Sequence, residues 1–376
     1  MRIEFTPSAA PTLGVEWEFA LVDRMTRDLR NDASHLFARA KPKLDDPSRV
    51  HEELLRNTIE IVTGICPTVG DAMADLRRTL EVVVPAGEAL SLDLYGAGTH
   101  PFASWTQQEL SAGDRYAELI NRTQWWGRQM LIWGVHVHVG MPEKSRVLNV
   151  QTALLRYYPH FQALSASSPI WGHHDTGYAS TRALMFQQLP TAGLPFHFEE
   201  WSDYERYAAD LLKTGVIDEL NEIRWDLRPA PHLGTLENRI CDGLSSFEDL
   251  AAVVALTQCL VVDLDERMAA GERLPTMAPW HVQENKWRAA RYGLDAIVII
   301  DGEGEERLIT DDLRDEVERL APLADRLGCA AELASVLDLV ERGPSYRRQR
   351  AVAASTGGDL IAVVDSVVSE LRSSLG

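Results

Sequence analysis

Apolar and polar residues alternate with a period of two along LGVEWEFALVD (13–23), the spacing of a β-strand with one buried face. The same period returns near 58–65, near 94–99, in IWGVHVHVGM (132–141) and in GTLENRICD (234–242), which predicts five strands. Between them apolar residues recur every three to four positions over 71–90, 114–131, 146–167, 202–213 and 246–270, predicting helices. From about 282 onward the pattern is almost wholly helical. Helices are expected there at 282–292, 311–325, 327–342 and 344–375, the last interrupted by Gly357 and Gly358. Strands scattered among long helices, without a regular alternation, predict an α+β protein on a largely antiparallel sheet. Length alone would allow two or three domains, but no repeat or low-complexity linker divides the chain, so 1–376 is read as a single domain.

Three of the strands share an unusual feature. Residues two apart on a strand point the same way, so Glu16 and Glu18 share a face, as do His136 and His138, and as do Thr235, Glu237 and Arg239. The opposite faces carry Val15, Trp17 and Phe19, and Val135, Val137 and Val139. An amphipathic sheet with a solvated face would explain one such strand, but solvated faces usually carry Lys, Thr, Ser and Gln. Carboxylates crowded on one face repel unless cations compensate them, and oxygen ligands with an occasional imidazole suit Mg2+ or Mn2+. Glu60 alternates against Ile59 and Ile61 and could join this set, as could Glu53, although Glu52 beside it leaves that choice open.

The formal net charge is -19, from 37 basic and 56 acidic residues. That excludes a broad basic surface for nucleic acid or anionic membrane and is compatible with binding cations. Only 5 of the basic residues are lysines. Cys66, Cys241, Cys259 and Cys329 are widely spaced and form neither a disulfide framework nor a zinc site; isolated buried thiols in a reducing compartment are expected. MRIEFTPSAA lacks an apolar signal core and no apolar run approaches a membrane span, so the expected location is cytoplasmic. There is no GxxxxGK[ST] phosphate loop, no GxGxxG after a strand and no HExxH. DGEGEE (301–306) reads as an acidic hairpin turn, and His173–His174 as a surface loop. Arginines stand in apolar or glycine-containing settings at Arg182, Arg228, Arg239, Arg288 and Arg291. Guanidinium groups beside a carboxylate-held metal would clamp phosphate or carboxylate oxygens bidentately, whereas each taken alone is as readily a structural ion pair.

VEWEF, the acidic pair Glu53 and Glu60, GAGTHPF (96–102), HVHVG (136–140), WDLRPxPxxGTxExR (225–239) and NKWRAARYGLDA (285–296) follow in order over nearly the whole chain. This series resembles the type 2 glutamate–cysteine ligases and, within them, the YbdK-like carboxylate–amine ligases. The resemblance implies a fold similar to the catalytic domain of glutamine synthetase, a curved antiparallel sheet forming a funnel with helices outside. It implies metal ligation by Glu16, Glu18, Glu53, Glu60, His136 and Glu237, and His138 beside the substrate. Arg239 would contact the γ-phosphate of ATP, Arg182 and Arg228 would act as further phosphate or carboxylate clamps, and Arg288 and Arg291 would lie at the nucleotide. The expected reaction is ATP- and Mg2+-dependent: an acyl phosphate forms on a carboxylate, glutamate being the first guess, and an amine, with cysteine the weaker guess, displaces the phosphate. A phosphotransferase on the same scaffold and a non-catalytic nucleotide-binding protein are the alternatives. The helical C-terminal third is a candidate homodimer surface by family habit.

Overall fold

Strand β1 (Leu13–Asp23) is the spine of the sheet in the computed structural model, which describes residues 1–376 apart from the side chains of 114 and 115. After it come β2 (Val50–Glu52), β3 (Thr58–Val62), β4 (Leu92–Tyr95) and β5 (Gly134–Gly140). A short ribbon of β6 (Ile170–Trp171) and β7 (His174–Asp175) precedes β8 (Leu227–Ala230) and β9 (Thr235–Asp242), and a hairpin of β10 (Ile297–Ile299) and β11 (Glu306–Leu308) follows. Among the described residues the main sheet has seven strands in the order β2-β3-β1-β5-β9-β8, with β4 pairing β1 beyond the end of β5. All its pairings are antiparallel. The α+β reading is therefore correct, and the sheet is open.

One face of this sheet is dry. Val15, Trp17, Phe19, Ile59, Ile61, Val135, Val137, Val139 and Leu236 are almost wholly buried. Helix Phe247–Ala269 packs in the same apolar cluster, which runs from Ile3 to Leu371. That helix is apolar nearly all round, as a helix buried on all sides must be, and Ser246 caps it by accepting the Asp249 N–H. Trp17 donates its indole N–H to the Leu244 carbonyl at 3.1 Å, so even the largest core side chain leaves no polar atom unmet. Each such burial contributes about 1.5–3 kcal/mol.

Departures from the sequence reading have local causes. The stretch 114–131 breaks into helices Asp114–Thr123 and Trp125–Arg128 at Gln124, whose φ is 50°. The stretch 146–167 breaks into Lys144–Leu154 and Tyr158–Ser165, where Pro159 cannot extend a helical ladder behind it. Helix Ala33–Ala40 and strand β2 are too short to show a period. Strand β8 contains Pro229, which argues against a central strand; it lies at the sheet edge, where proline is tolerated. The acidic turn does join a hairpin, β10–β11, within the otherwise helical C-terminal third, and Asp301 shapes it by accepting the Glu303 and Glu305 N–H groups. Gly357 and Gly358 separate Ser345–Ser355 from Leu360–Leu375, both with positive φ. The four thiols are free and buried, but they are not all isolated: Cys259 Sγ and Cys329 Sγ are 3.7 Å apart.

Candidate active site

The other face of the sheet forms the floor of a cavity of about 620 Å³. Register decides what meets there. Glu18 on β1 lies opposite Glu60 on β3, Glu16 lies opposite His136 on β5, and His138 lies opposite Glu237 on β9. Glu237 in turn lies opposite Arg228 on β8. Glu16, Glu18, Glu53, Glu60, His136, His138 and Glu237 all line the one cavity, together with Arg182, Arg228 and Arg239. Of the two neighbouring glutamates, Glu53, just after β2, lines the cavity and Glu52 is exposed.

A bulge on β9 shapes the centre. Val137 pairs Asn238 and Val135 pairs Cys241, so Arg239 and Ile240 together oppose the single residue His136. Arg239 thereby reaches over the imidazole, with Nη1 at 3.4 Å from His136 Nδ1 and also paired to the Glu237 carboxylate. Glu16 accepts from both imidazoles, at 2.6 Å from His136 Nδ1 and 3.1 Å from His138 Nε2. With Nδ1 donating to Glu16, the free lone pair of His136 is on Nε2, the side facing Glu18 at 4.0 Å. Glu18 is steered by the Gly134 N–H at 2.5 Å, and His138 by Thr235 at 2.9 Å.

Five carboxylates share this floor with three guanidinium groups, and their protonation divides accordingly. Burial pushes the Glu53 carboxyl up to about 7, reinforced by the charge of Glu18. Burial also raises Glu60 well above its ordinary value, with Glu53, Glu16 and Glu18 adding to the rise. Glu16 feels the same burial, yet hydrogen bonds to His136 and His138 outweigh it and hold the group well below the carboxylate range. Glu237 is likewise buried but is drawn well down by Arg228, Arg239 and His138. Burial and Arg239 lower His136; His138 is raised, because Glu237 and Glu16 overcome its burial. One end of the floor is thus charge-satisfied and the other, around Glu53 and Glu60, lacks positive charge.

Two donor sets fit a hard divalent cation on these observations: Glu16, Glu60 and His136, and Glu16, His138 and Glu237, each with ligand atoms within 4.8 Å of one another. The arginines divide between holding the site and facing into it. Arg228 is fully engaged, donating to Glu237 Oε2 at 2.5 Å and to the Asn221 and Ile223 carbonyls at 2.8 and 3.0 Å, so it orients Glu237. Arg182, from helix Arg182–Phe186, and Arg239 each keep a buried Nε without a hydrogen-bond partner, while Arg239 Nη1 pairs with Glu237 and Arg182 Nη1 lies 3.5 Å from the Arg239 and Ile240 carbonyls. Gly134 makes room for Arg182, since a Cβ there would collide with its Nη2.

Arg288 and Arg291, expected at the nucleotide, lie apart from this cavity. Both are on helix Pro279–Tyr292. Arg288 pairs with Glu284 and Glu306, and Arg291 donates to the Gly177 carbonyl, because the outer side of this helix faces the β10–β11 hairpin and a surface loop. GAGTHPF also lies outside the cavity lining: Gly96 lets the Leu244 backbone approach, Gly98 clears Asp242, and His100 bonds the Arg27 carbonyl. Sequence reasoning missed Asn221, His232 and the segment Arg2–Glu4, which line the cavity's upper wall. They sit in stretches without period, where only three-dimensional proximity identifies them.

Residues 12–366 match the family described as Glutamate-cysteine ligase family 2 (GCS2). The chain belongs to the glutamate–cysteine ligase family 2. It is similar to the "Putative glutamate--cysteine ligase 2-3" of Nocardioides sp., 74% identical over 100% of both chains. It is also 61% identical to the "Putative glutamate--cysteine ligase 2" of Mycobacterium tuberculosis, over 98% of this chain and 97% of that one. Among solved structures, the glutamate–cysteine ligase of Francisella tularensis in complex with AMP superposes with a TM-score of 0.71 at 12% identity, covering 99% of this chain and 91% of that one. A bifunctional glutathione synthetase of Pasteurella multocida gives 0.68 at 14% identity, covering 97% and 52%. These two establish that family 2 shares its fold with the larger ligases.

Proposed function

We propose that this member of family 2 is an ATP-dependent carboxylate–amine ligase that forms an amide, with glutamate as the carboxylate substrate and passage through an acyl phosphate. The observation that carries the reading is the floor itself: four carboxylates and two imidazoles on four adjacent strands, a fifth carboxylate, Glu53, just after β2, and the guanidinium groups of Arg182, Arg228 and Arg239 lining the same cavity. Glu16, Glu18, Glu53, Glu60, His136 and Glu237 would hold Mg2+ or Mn2+, which when bound neutralises charge on the phosphates of ATP. Arg239 and Arg182 supply the remaining positive charge, positioned before the reaction, against the negative charge on the equatorial oxygens of the transferring phosphoryl group. His138 stands between Glu16 and Glu237, within the second donor set, and is the imidazole assigned to a substrate carboxylate. An amine then attacks the carbonyl carbon of the acyl phosphate and phosphate leaves, both substrates being held in the one cavity. The relatives named as glutamate–cysteine ligases, and the Francisella enzyme crystallised with AMP, support this class of reaction.

The test incubates the protein with ATP, Mg2+ and glutamate, then adds pooled amino acids, and follows ADP, phosphate and new amide masses. Glutamate-dependent ADP with an amide product is expected. ADP with a stable phosphorylated product and no amide would replace the reading with a phosphotransferase. ATP binding without turnover over the whole panel would make the chain a nucleotide-binding protein.

A further inference from the structure

The chain's one fully buried lysine does not touch the cavity, yet its partner holds the cavity's central arginine. Lys286 and Asp226 are only 1% and 3% exposed, and neither lines the cavity. Lys286 Nζ donates to Asp226 Oδ2 at 2.7 Å, and the buried Tyr158 hydroxyl donates to the same oxygen at 3.0 Å. These groups come from helices Pro279–Tyr292 and Tyr158–Ser165, packed against each other. The Asp226 backbone carbonyl, just before β8, accepts the N–H of Arg239 at 2.8 Å. That bond falls where the β5–β9 ladder is broken by the bulge, so the position of Arg239 depends on its β8 side.

A dry ion pair is a poor source of stability, because desolvating two charges consumes most of their attraction and an apolar pair of similar shape often serves as well. Fixing geometry is a better account of this one. We propose that Lys286 and Asp226 are positioning residues for Arg239: the ion pair locks the Asp226 main chain, and the carbonyl of Asp226 sets the height of the bulged arginine above His136. This would also give NKWRAARYG a link to chemistry that Arg288 and Arg291 do not supply. The inference rests on the role given to Arg239 above.

A double-mutant cycle separates the two ideas. Wild type, Lys286→Met, Lys286→Arg, Arg239→Ala and the Lys286→Met/Arg239→Ala pair are compared by glutamate-dependent ADP release, by calorimetric affinity for Mg2+ and ATP, and by thermal unfolding. Lys286→Met is expected to lower kcat by about tenfold to a hundredfold, the scale of a small misplacement of a catalytic group. In the Arg239→Ala background the same change should cost less than about twofold, since its effect has already been removed. Lys286→Arg should restore most of the loss, and the binding affinities should follow the same non-additive pattern. Losses that multiply in the two backgrounds, or a folded Lys286→Met protein with wild-type kcat and affinity, would overturn the proposal. Should Lys286→Met fail to fold, Lys286→Met/Asp226→Asn removes both charges together, and Tyr158→Phe loosens Asp226 while keeping the pair; the same criteria apply to both. An Arg239→Ala protein with undiminished turnover would instead defeat the assignment of Arg239 and, with it, this inference.

Discussion

Glu60 is the residue at which function and stability pull hardest against each other. It faces Glu18 across the strand pair, with its carboxyl raised by burial and by the neighbouring carboxylates. Glu60→Gln removes one charge from a crowded floor and keeps the shape. The metal-free protein should therefore melt higher than wild type in EDTA, while the stabilisation conferred by Mg2+ shrinks and ADP release falls by on the order of 10²-fold. Calorimetry with and without Mg2+ checks all three, and a lower melting point in EDTA would contradict the repulsion. Glu18→Ala should abolish ADP formation and leave the fold intact, which circular dichroism and the turnover assay report together. At this scale the sequence was informative about identity and uninformative about contact. Period-two alternation placed Glu16 with Glu18 and His136 with His138, but only register brings Glu18 to Glu60 and Glu16 to His136.

The elements show why a strand can be read and its exceptions cannot. The strand β1 was legible because apolar and ionisable residues alternate from Val15 to Phe19; beyond it Ala20 and Val22 are buried as well. The edge strand β8 was hidden by Pro229, and Lys286 was hidden among the arginines of its own helix, because burial of a cation depends on a partner 60 residues away. Within β5, Gly134 carries a specific requirement. A methyl group there would collide with Arg182, whose guanidinium packs over that backbone. If Arg182 acts as proposed, Gly134→Ala should lower kcat by at least about tenfold, since displacing such a group is costly, with a fall in Tm that is small by comparison. An unaltered kcat with an intact fold would show that Arg182 is not needed in its present place.

For the whole molecule, the metal-free protein should lose stability as pH rises through neutrality. Glu53 has a folded value of about 7 against an ordinary 4.5, and Glu60 and His138 are also raised. Groups raised by folding stabilise below their unfolded values and lose that contribution as pH climbs through the folded ones, so the window is about pH 5–8 for Glu53. His136 is lowered and works the other way only below its ordinary 6.5, and Glu16 and Glu237 stay ionised throughout. Between pH 6.5 and 8.5 Glu53 alone should cost about 1 kcal/mol in EDTA, with Glu60 and His138 acting in the same direction. Mg2+ should largely reverse the loss, because it binds the deprotonated floor. Urea unfolding at a series of pH values measures both. The bulge on β9 has a different consequence, for sequence length. Ahead of it the strand sends Glu237 to the floor; beyond it Cys241 returns to the core opposite Val135, and the Asp242 carboxylate gathers Ser168 and Ser180 beside Arg182. Removing the extra residue, Ile240, would restore a regular ladder, with Arg239 alone opposite His136 and Cys241 still opposite Val135. A one-codon deletion there should therefore cost the buried Ile240 side chain and the raised position of Arg239, while the pairing of the flanking residues stays as it is.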